Sequence, residues 1–177
     1  MDDRVLVERA AGGDEVAFEL LVRRHTESAW RLARSLLRDD FAAEEAVQDT
    51  FVKAHRALGS FRGDAQVRTW LLSICHRTCI DRLRLKKADV VSLDEARTRR
   101  RRDEQHELRL TIEAEVGRLG DVEREAFTLV DILGYSREEA ASVVGVPPST
   151  MRSRVARARE QLAKALGDED TAAGDRR

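Results

Sequence analysis

Prolines and aromatic side chains are scarce in this chain. Only 2 prolines and 10 glycines occur in 177 residues, and Phe, Trp and Tyr together make up 5%. Strands favour aromatic and β-branched residues, whereas leucine, alanine, arginine and glutamate, which are abundant here, favour helices. The composition therefore predicts an all-α protein with enough apolar material for two modest cores.

A long apolar run is also missing. No stretch approaches the roughly 20 apolar residues that cross a bilayer. The first residues, MDDRVLVERAAGG, lack the basic and apolar segments of a signal peptide. We therefore expect a cytoplasmic protein. The net charge of −1 indicates little about partners, because basic and acidic residues are segregated along the chain.

The chain has only 2 cysteines. Cys75, His76 and Cys79 could supply metal ligands, but they make an incomplete set for zinc, and the other histidines are scattered. We interpret both thiols as buried structural residues, with redox sensing and metal binding as alternatives. The sequence predicts no metal site and no cofactor. Because no Ser/His/Asp set or pair of carboxylates indicates catalysis, we do not expect an enzyme.

The most informative stretch, Tyr135 to Leu166, is typical of a helix-turn-helix. Ser136 and Glu139 have the spacing of a capping box, which marks the start of a helix. Gly145 suits the turn after that helix. Pro148 suits the first turn of the next helix, where a missing N–H costs nothing.

The second helix of this motif has two different faces at about 100° per residue. One face is apolar and predicts contact with a core: Met151, Val155, Ala158, Leu162, Ala165 and Leu166. The other mixes small residues with arginine, which lets a helix approach base edges while guanidinium groups reach phosphate or guanine. Between residues 147 and 166 five basic residues accompany one acidic residue, whereas 121–146 holds two basic and six acidic residues. Positive charge is thus concentrated on the helix expected to enter a DNA groove.

Two amphipathic helices are predicted before residue 59. Asp14 can cap the first, which carries an apolar stripe from Phe18 to Leu36, and Asp39 can cap the second. The second helix should bury Val47, Phe51, Ala54 and Leu58 and expose Glu45, Gln48 and Asp49. This acidic patch is either solvated surface or a docking face for a basic partner.

A glycine-containing loop, GSFRGDAQ at 59–66, and a long basic helix follow. The helix is expected from about Val67 to Lys87, with one less polar side: Trp70, Leu71, Ile74, Thr78 and Leu85. From residue 76 to 87 five basic residues accompany one aspartate. Basic residues near a helix C-terminus offset the helix dipole. A basic helix beside a loop with aromatic residues also suits single-stranded nucleic acid.

From residue 88 to 105 both periodicity and composition change, and five arginines occur. We interpret this stretch as a linker, partly disordered. Two further helices, at about 106–119 and 122–133, lead into the helix-turn-helix. The expected organisation is a first domain at 1–88, a linker at 89–105, a second domain at 106–167 and a disordered tail at 168–177.

Four patches carry a resemblance to a known family: AEEAVQDTFVKAHRAL (43–58), FRGDAQVRTWLLSICHRTCIDRLR (61–84), VVSLDEA (90–96) and ILGYSREEAASVVGVPPSTMRSRVARAREQL (132–162). In order and spacing they resemble the extracytoplasmic-function (ECF) sigma factors of the bacterial sigma-70 family. The corresponding family segments dock on the clamp helices of RNA polymerase, recognise the −10 element, join the domains and read the −35 element. The resemblance covers about residues 14–166 and implies two small helical domains joined by a flexible linker.

The resemblance also implies a function and its sites. The protein would bind the core of bacterial RNA polymerase and direct it to promoter DNA, under the control of an anti-sigma factor in many members of the family. Glu45, Gln48 and Asp49 would face the polymerase. The −10 element would be held by Phe61, Arg62, Gly63, Asp64, Trp70, Arg77 and Arg84, and the −35 duplex by Ser149, Arg152, Ser153, Arg154, Arg157 and Arg159.

Some residues depart from the usual family pattern. Cys75 stands where alanine is usual, Arg77 where asparagine is usual and Ser149 where glycine is usual, which bears on the promoter sequence recognised. Arg154 has an alternative role, because it could pair with Glu139 inside the second domain. Two other functions remain open. A stand-alone helix-turn-helix regulator would leave the acidic patch and the basic helix without a task, and a helical interaction module would use its basic helices to bind acidic partners.

Overall fold

The computed structural model describes the backbone of residues 1–89 and 107–174 and the side chains of residues 1–86 and 112–166. Within these ranges the chain is helical and contains no strand, as its composition predicts. The helices are α1 (Asp3–Ala11), α2 (Glu15–Leu37), α3 (Asp40–Ala57), α4 (Val67–Asp89), α5 (Glu107–Arg118), α6 (Asp121–Phe127), α7 (Arg137–Val144) and α8 (Pro148–Gly174). The expected linker falls largely on residues 90–106, outside the described residues.

Helices α1 to α4 pack into one bundle. The side chains of Leu6, Leu21, Leu32, Phe51 and Leu72, drawn from all four helices, are buried together. The N-terminus of α2 is capped by the Asp14 carboxylate and that of α3 by the Asp39 carboxylate, each accepting a backbone N–H, as predicted. The predicted burial of Val47, Phe51, Ala54 and Leu58 is confirmed.

Leu85, assigned from sequence to the less polar side of α4, is not packed against the bundle. Its side chain is 66% exposed. Because α2 ends at Leu37 and α3 begins at Asp40, the last turns of α4 have no helix layer over them. Leu85 instead lines an open groove of about 540 Å³ together with Leu37, Ala42 and Leu83.

In the second half of the chain, α7 and α8 form the predicted helix-turn-helix. Ser136 and Glu139 make a complete capping box, and Gly145 has a φ of 78° at the end of α7. Met151, Val155, Ala158 and Leu162 are buried, which confirms the predicted inner face of α8. Ile112 on α5 is 42% exposed.

Two helix ends differ from the sequence expectation. The helix expected at 122–133 changes at residue 128 into a π-helical turn, Thr128–Ile132, in which the Leu133 N–H donates to the Thr128 carbonyl. Helix α8 continues to Gly174, so the tail expected from residue 168 is helical as far as that residue. No proline interrupts this segment, and extending an existing helix is much easier than starting one.

The two domains pack directly against each other. Helix α7 lies on α4, and α6 with its π-helical turn lies on α2. Buried residues of the second domain, among them Ala126, Leu129 and Tyr135, join the same apolar cluster as the first bundle. A smaller cluster of Leu119, Ala158 and Leu162 lies between α8 and the segment before α6. The two domains expected from sequence therefore share one continuous core.

Candidate nucleic-acid interface

The outer face of α8 is basic and accessible. Ser149, Arg152, Arg157 and Arg159 are exposed, and Arg154 is partly buried. Ser153 is also partly buried, and its hydroxyl donates to the Thr150 carbonyl at 2.9 Å. Because the opposite face of α8 is anchored in the core, the helix presents this basic face to solvent in a fixed direction. This geometry suits a helix that lies in a DNA major groove.

Three of these arginines already have carboxylate partners on α6 and its π-helical turn. Arg159 donates from Nη2 and Nε to Asp131 at 2.7 and 3.1 Å. This hydrogen bond raises the pKa of the Arg159 guanidinium. Arg157 lies 3.5 Å from Glu123, and Arg154 lies 3.6 Å from Glu125. Arg152 differs from them, since it has no carboxylate partner among the described residues.

The alternative pairing of Arg154 with Glu139 is therefore wrong. Glu139 faces the first domain and binds Arg68, while Glu125 takes the place beside Arg154. Sequence reasoning did not predict that carboxylates of α6 and its π-helical turn face the arginines of α8. The only sign of them in the sequence is the excess of acidic residues between 121 and 146, which does not indicate which carboxylate faces which arginine.

The loop between α3 and α4 presents an aromatic pair. The rings of Phe61 and Trp70 lie 5.0 Å apart and tilted by 51°, and both side chains are half-buried. Gly63 has a φ of 75°, which favours glycine, and Arg4 donates from Nη2 to its carbonyl at 2.9 Å. The loop is thus fastened to α1, and sequence reasoning missed the part played by Arg4.

On the loop and along α4 the structure leaves polar groups in solvent. Arg62 and Asp64 are exposed on the loop, and Arg77 and Arg84 are exposed on α4. Arg84 lies 3.9 Å from Asp81, a loose contact in solvent. Loop and helix together offer aromatic rings beside accessible guanidinium groups, an arrangement that suits single-stranded nucleic acid.

The acidic patch on α3 is exposed, but it is not free of partners. Arg82 on α4 donates to Glu45 at 2.9 Å and to Asp49 at 2.6 Å, whereas Gln48 is exposed between them. The hydrogen bond with Asp49 raises the pKa of Arg82. The patch therefore carries less net negative charge than its sequence indicates.

The two thiols lie inside the first bundle. Cys75 and Cys79 are both 0% exposed, and the Cys75 thiol donates to the Ala29 carbonyl at 3.5 Å. A hydrogen bond with Cys75, together with burial, raises the pKa of the Cys79 thiol. The prediction of buried thiols is confirmed. In the part of the chain that the structure describes, no three His, Cys, Asp or Glu side chains are grouped as metal ligands would be.

Comparisons with known proteins agree with this geometry. The family model described as Sigma-70 region 2 matches residues 21–88, and the one described as Sigma-70, region 4 matches residues 109–162. The ECF RNA polymerase sigma factor SigM of Mycobacterium tuberculosis is 39% identical over 99% of this chain and 90% of its own length. The chain belongs to the ECF sigma factors.

Further relatives of this sigma factor span the same length. The ECF RNA polymerase sigma-E factor of Escherichia coli is 35% identical, covering 92% of this chain and 93% of its own. The structure of CnrH with the cytosolic domain of CnrY matches with a TM-score of 0.70 and 31% identity, over 94% of this chain and 97% of that one. RpoE of Bartonella quintana, solved with the anti-sigma factor NepR, matches with a TM-score of 0.74 and 27% identity, over 85% and 96%.

Membership of this family fixes the general role of the protein. As a sigma factor it binds the core of RNA polymerase and directs it to promoter DNA, and it regulates transcription at the initiation step. Among the described residues no helix is long and apolar enough to cross a membrane.

Proposed function

We propose that this sigma factor uses three separate surfaces, with the basic face of α8 as the −35 reader. The observation that carries this proposal is the position of Arg152 and Ser149, exposed on a helix whose other face is fully anchored. Arg152 would contact a guanine edge or a phosphate. Arg154, Arg157 and Arg159 would grip phosphates beside it after releasing their carboxylate partners, and Ser153 would line the same face.

The second proposed surface is the loop between α3 and α4, which would hold an unpaired base of the −10 element. Phe61 and Trp70 provide a stacking platform, and Gly63 lets the backbone come close. Exposed polar side chains around it would contact the strand: Arg62, Asp64, Arg77 and Arg84. Unpairing a base costs only a few kcal/mol, so binding energy can drive melting, and the protein would need no catalytic reaction of its own.

The third proposed surface is the acidic face of α3, with Glu45, Gln48 and Asp49 docking on the polymerase core. Arg82 supports this role because it holds Glu45 and Asp49 in a fixed geometry. The protein would work in the cytoplasm, where the polymerase is. Two similar structures are complexes with a partner protein, and one of them is a sigma factor bound to an anti-sigma factor. We propose that an anti-sigma factor also controls this chain.

Run-off transcription tests the proposal. Bacterial core polymerase is incubated with and without the protein on a pool of genomic promoter fragments, and a second sigma factor serves as the control for active core. New start sites that share two spaced elements are expected. If active core gives no new transcript and a pull-down detects no binding to core, the proposal is wrong and a stand-alone DNA-binding regulator becomes the better explanation.

A further inference from the structure

The first helix, α1, is bound to α2 at both of its ends. Asp3 accepts a hydrogen bond from Arg24 Nη1 at 2.7 Å, and its other carboxylate oxygen lies 2.9 Å from His25 Nε2. At the other end, Arg9 donates from Nε at 2.8 Å to Asp14, the residue that caps α2. Between these ends α1 buries one apolar face in the first bundle: Leu6, Val7 and Ala10. Helix α1 therefore cannot shift along α2 without breaking these contacts.

Arg4, the residue after Asp3, reaches from α1 to the loop between α3 and α4. Its Nη2 donates at 2.9 Å to the carbonyl of Gly63, which lies 59 positions further along the chain. That carbonyl belongs to the planar peptide group that joins Gly63 to Asp64, so the hydrogen bond sets the direction in which the chain leaves Gly63. A charged donor also makes the bond stronger than a neutral donor would. The contact thus joins an anchored helix to the centre of the loop.

Backbone hydrogen bonds of the loop itself hold its two ends. The Phe61 N–H donates to the Leu58 carbonyl at 3.2 Å, and the Trp70 N–H donates to the Gln66 carbonyl at 3.0 Å. Gly63 lies between these ends, and its carbonyl is held by Arg4. Fixing the backbone of a residue costs conformational entropy. A loop that is already ordered before a DNA strand arrives loses less entropy on binding, so the bond from Arg4 favours binding without touching DNA.

We propose that α1 positions the −10 site. In this proposal Arg4 holds the loop in the conformation that receives an unpaired base, and Asp3 holds Arg4 in place by anchoring the first turn of α1. The role rests on the proposed function, because it assumes that the loop binds the −10 strand. Arg62 and Asp64 flank Gly63, so fixing the Gly63 carbonyl orients both for contact with that strand. Helix α1 lies before residue 21, where the match to the Sigma-70 region 2 model begins.

Two substitutions break this series of contacts at different points. Arg4→Ala removes the donor to Gly63, whereas Asp3→Ala releases the first turn of α1 from α2 and leaves Arg4 in the chain. Arg23→Ala is the matched control, because it removes the same charge from an exposed position on α2, where Arg23 pairs with Glu19. If Asp3 acts through Arg4, the double variant should show no larger effect than Arg4→Ala alone, since the effects of coupled residues do not add.

Tryptophan fluorescence measures the position of the loop in the full chain. The chain has 2 tryptophans, Trp30 and Trp70, so Trp30→Phe leaves Trp70 as the only one. The Trp70 ring lies 5.0 Å from that of Phe61 on the loop, and a released loop would uncover it. Because Trp70 is already half accessible, Arg4→Ala should raise its acrylamide quenching constant by up to about twofold. Asp3→Ala should change it in the same direction.

Three results would overturn the proposal. They are unchanged quenching of Trp70 in Arg4→Ala, an equal rise in the control Arg23→Ala, and additive effects of Asp3→Ala and Arg4→Ala. The last result would remove Asp3 from the series of contacts. Circular dichroism checks that each variant keeps its helix content. Amide hydrogen exchange of the peptide at 59–70 repeats the comparison in the chain that retains Trp30, so the test does not depend on the Trp30→Phe background.

Binding of a single DNA strand tests the role of α1 at the promoter. The probe is a labelled single-stranded oligonucleotide that carries the −10 element of a promoter found by run-off transcription, titrated with holoenzyme. Arg4→Ala should lower the affinity for this strand about fivefold, because the loop must then be ordered on binding. Affinity for a duplex with the −35 element alone should stay unchanged. Unchanged fluorescence would contradict the contact between α1 and the loop. A released loop with unchanged affinity for the strand would instead contradict the assignment of the loop to the −10 element.

Discussion

The carboxylates that face α8 predict that Arg152→Ala and Asp131→Asn change the salt dependence of DNA binding in opposite directions. Arg152 has no carboxylate partner among the described residues, so all of its charge is available to DNA, whereas Arg159 is bound by Asp131 at 2.7 Å. Each phosphate neutralised changes the slope of log affinity against log salt by about 0.9. Arg152→Ala should therefore flatten the slope by about 0.9. Asp131→Asn releases Arg159 and should steepen it by up to about 0.9.

The assay is fluorescence anisotropy of holoenzyme on a labelled promoter, titrated at several salt concentrations. Glu8→Gln is the control for Asp131→Asn, because it removes one negative charge at an exposed position on α1 in the other domain. If Arg152 contacts a guanine edge, Arg152→Ala should also cost about 1–3 kcal/mol of discrimination between matched and altered −35 sequences. A phosphate contact would weaken binding to all sequences alike.

A slope that stays unchanged for Arg152→Ala would refute the reasoning, because it would mean that the exposed guanidinium lies away from DNA. A flatter slope for Asp131→Asn would refute it as well. That result would mean that Asp131 holds Arg159 in the geometry that DNA requires. In that case the carboxylate would support the contact and not compete with it.

Four further predictions follow from single contacts. Asp49→Lys should lower affinity for polymerase core, measured by pull-down, with helix content unchanged because the side chain is exposed; unchanged affinity would place the docking face elsewhere. Arg4→Ala should leave the loop unfastened from α1 and reduce permanganate reactivity of the melted −10 strand, while duplex binding through α8 stays intact. Leu72→Ala should lower the free energy of unfolding by about 2–5 kcal/mol in urea titrations, because Leu72 is 1% exposed. Burial alone would raise the pKa of Glu139, but hydrogen bonds from Arg68 and Ser136 hold that pKa below its usual value. The difference in the free energy of unfolding between the wild type and Glu139→Gln should therefore be constant above about pH 5. It should vanish as the pH falls through the pKa that Glu139 has in the folded protein.

Local features of this fold are predictable from sequence because their partners are close along the chain. Ser136 and Glu139 are three residues apart, and their capping box depends on nothing outside that turn. The inner face of α8 follows in the same way from helical periodicity and from Met151, Val155 and Leu162. The exposure of Ser149, Arg152, Arg157 and Arg159 on the opposite face follows from the same periodicity.

Long-range pairs are not predictable by the same reasoning. Arg68 and Glu139 are 71 residues apart, and their contact depends on how two helix bundles pack. Glu139 was a candidate partner for Arg154 because both lie in the helix-turn-helix, but its side chain points to the other domain. The exposure of Leu85 has a similar cause, since periodicity identifies its face on α4 but not where the neighbouring helices end.

On the proposed assignment of α8 to the −35 duplex, the pairing of arginines with carboxylates would explain how a protein of net charge −1 binds DNA with specificity. Arg154, Arg157 and Arg159 each face an acidic side chain, so contact with a phosphate exchanges one ion pair for another. Such an exchange gives little net energy apart from the release of counterions by DNA. Weak net attraction at these three positions would limit binding to arbitrary DNA. Discrimination between sequences would then depend on residues without a carboxylate partner. Among the described arginines of α8, Arg152 is the one without such a partner.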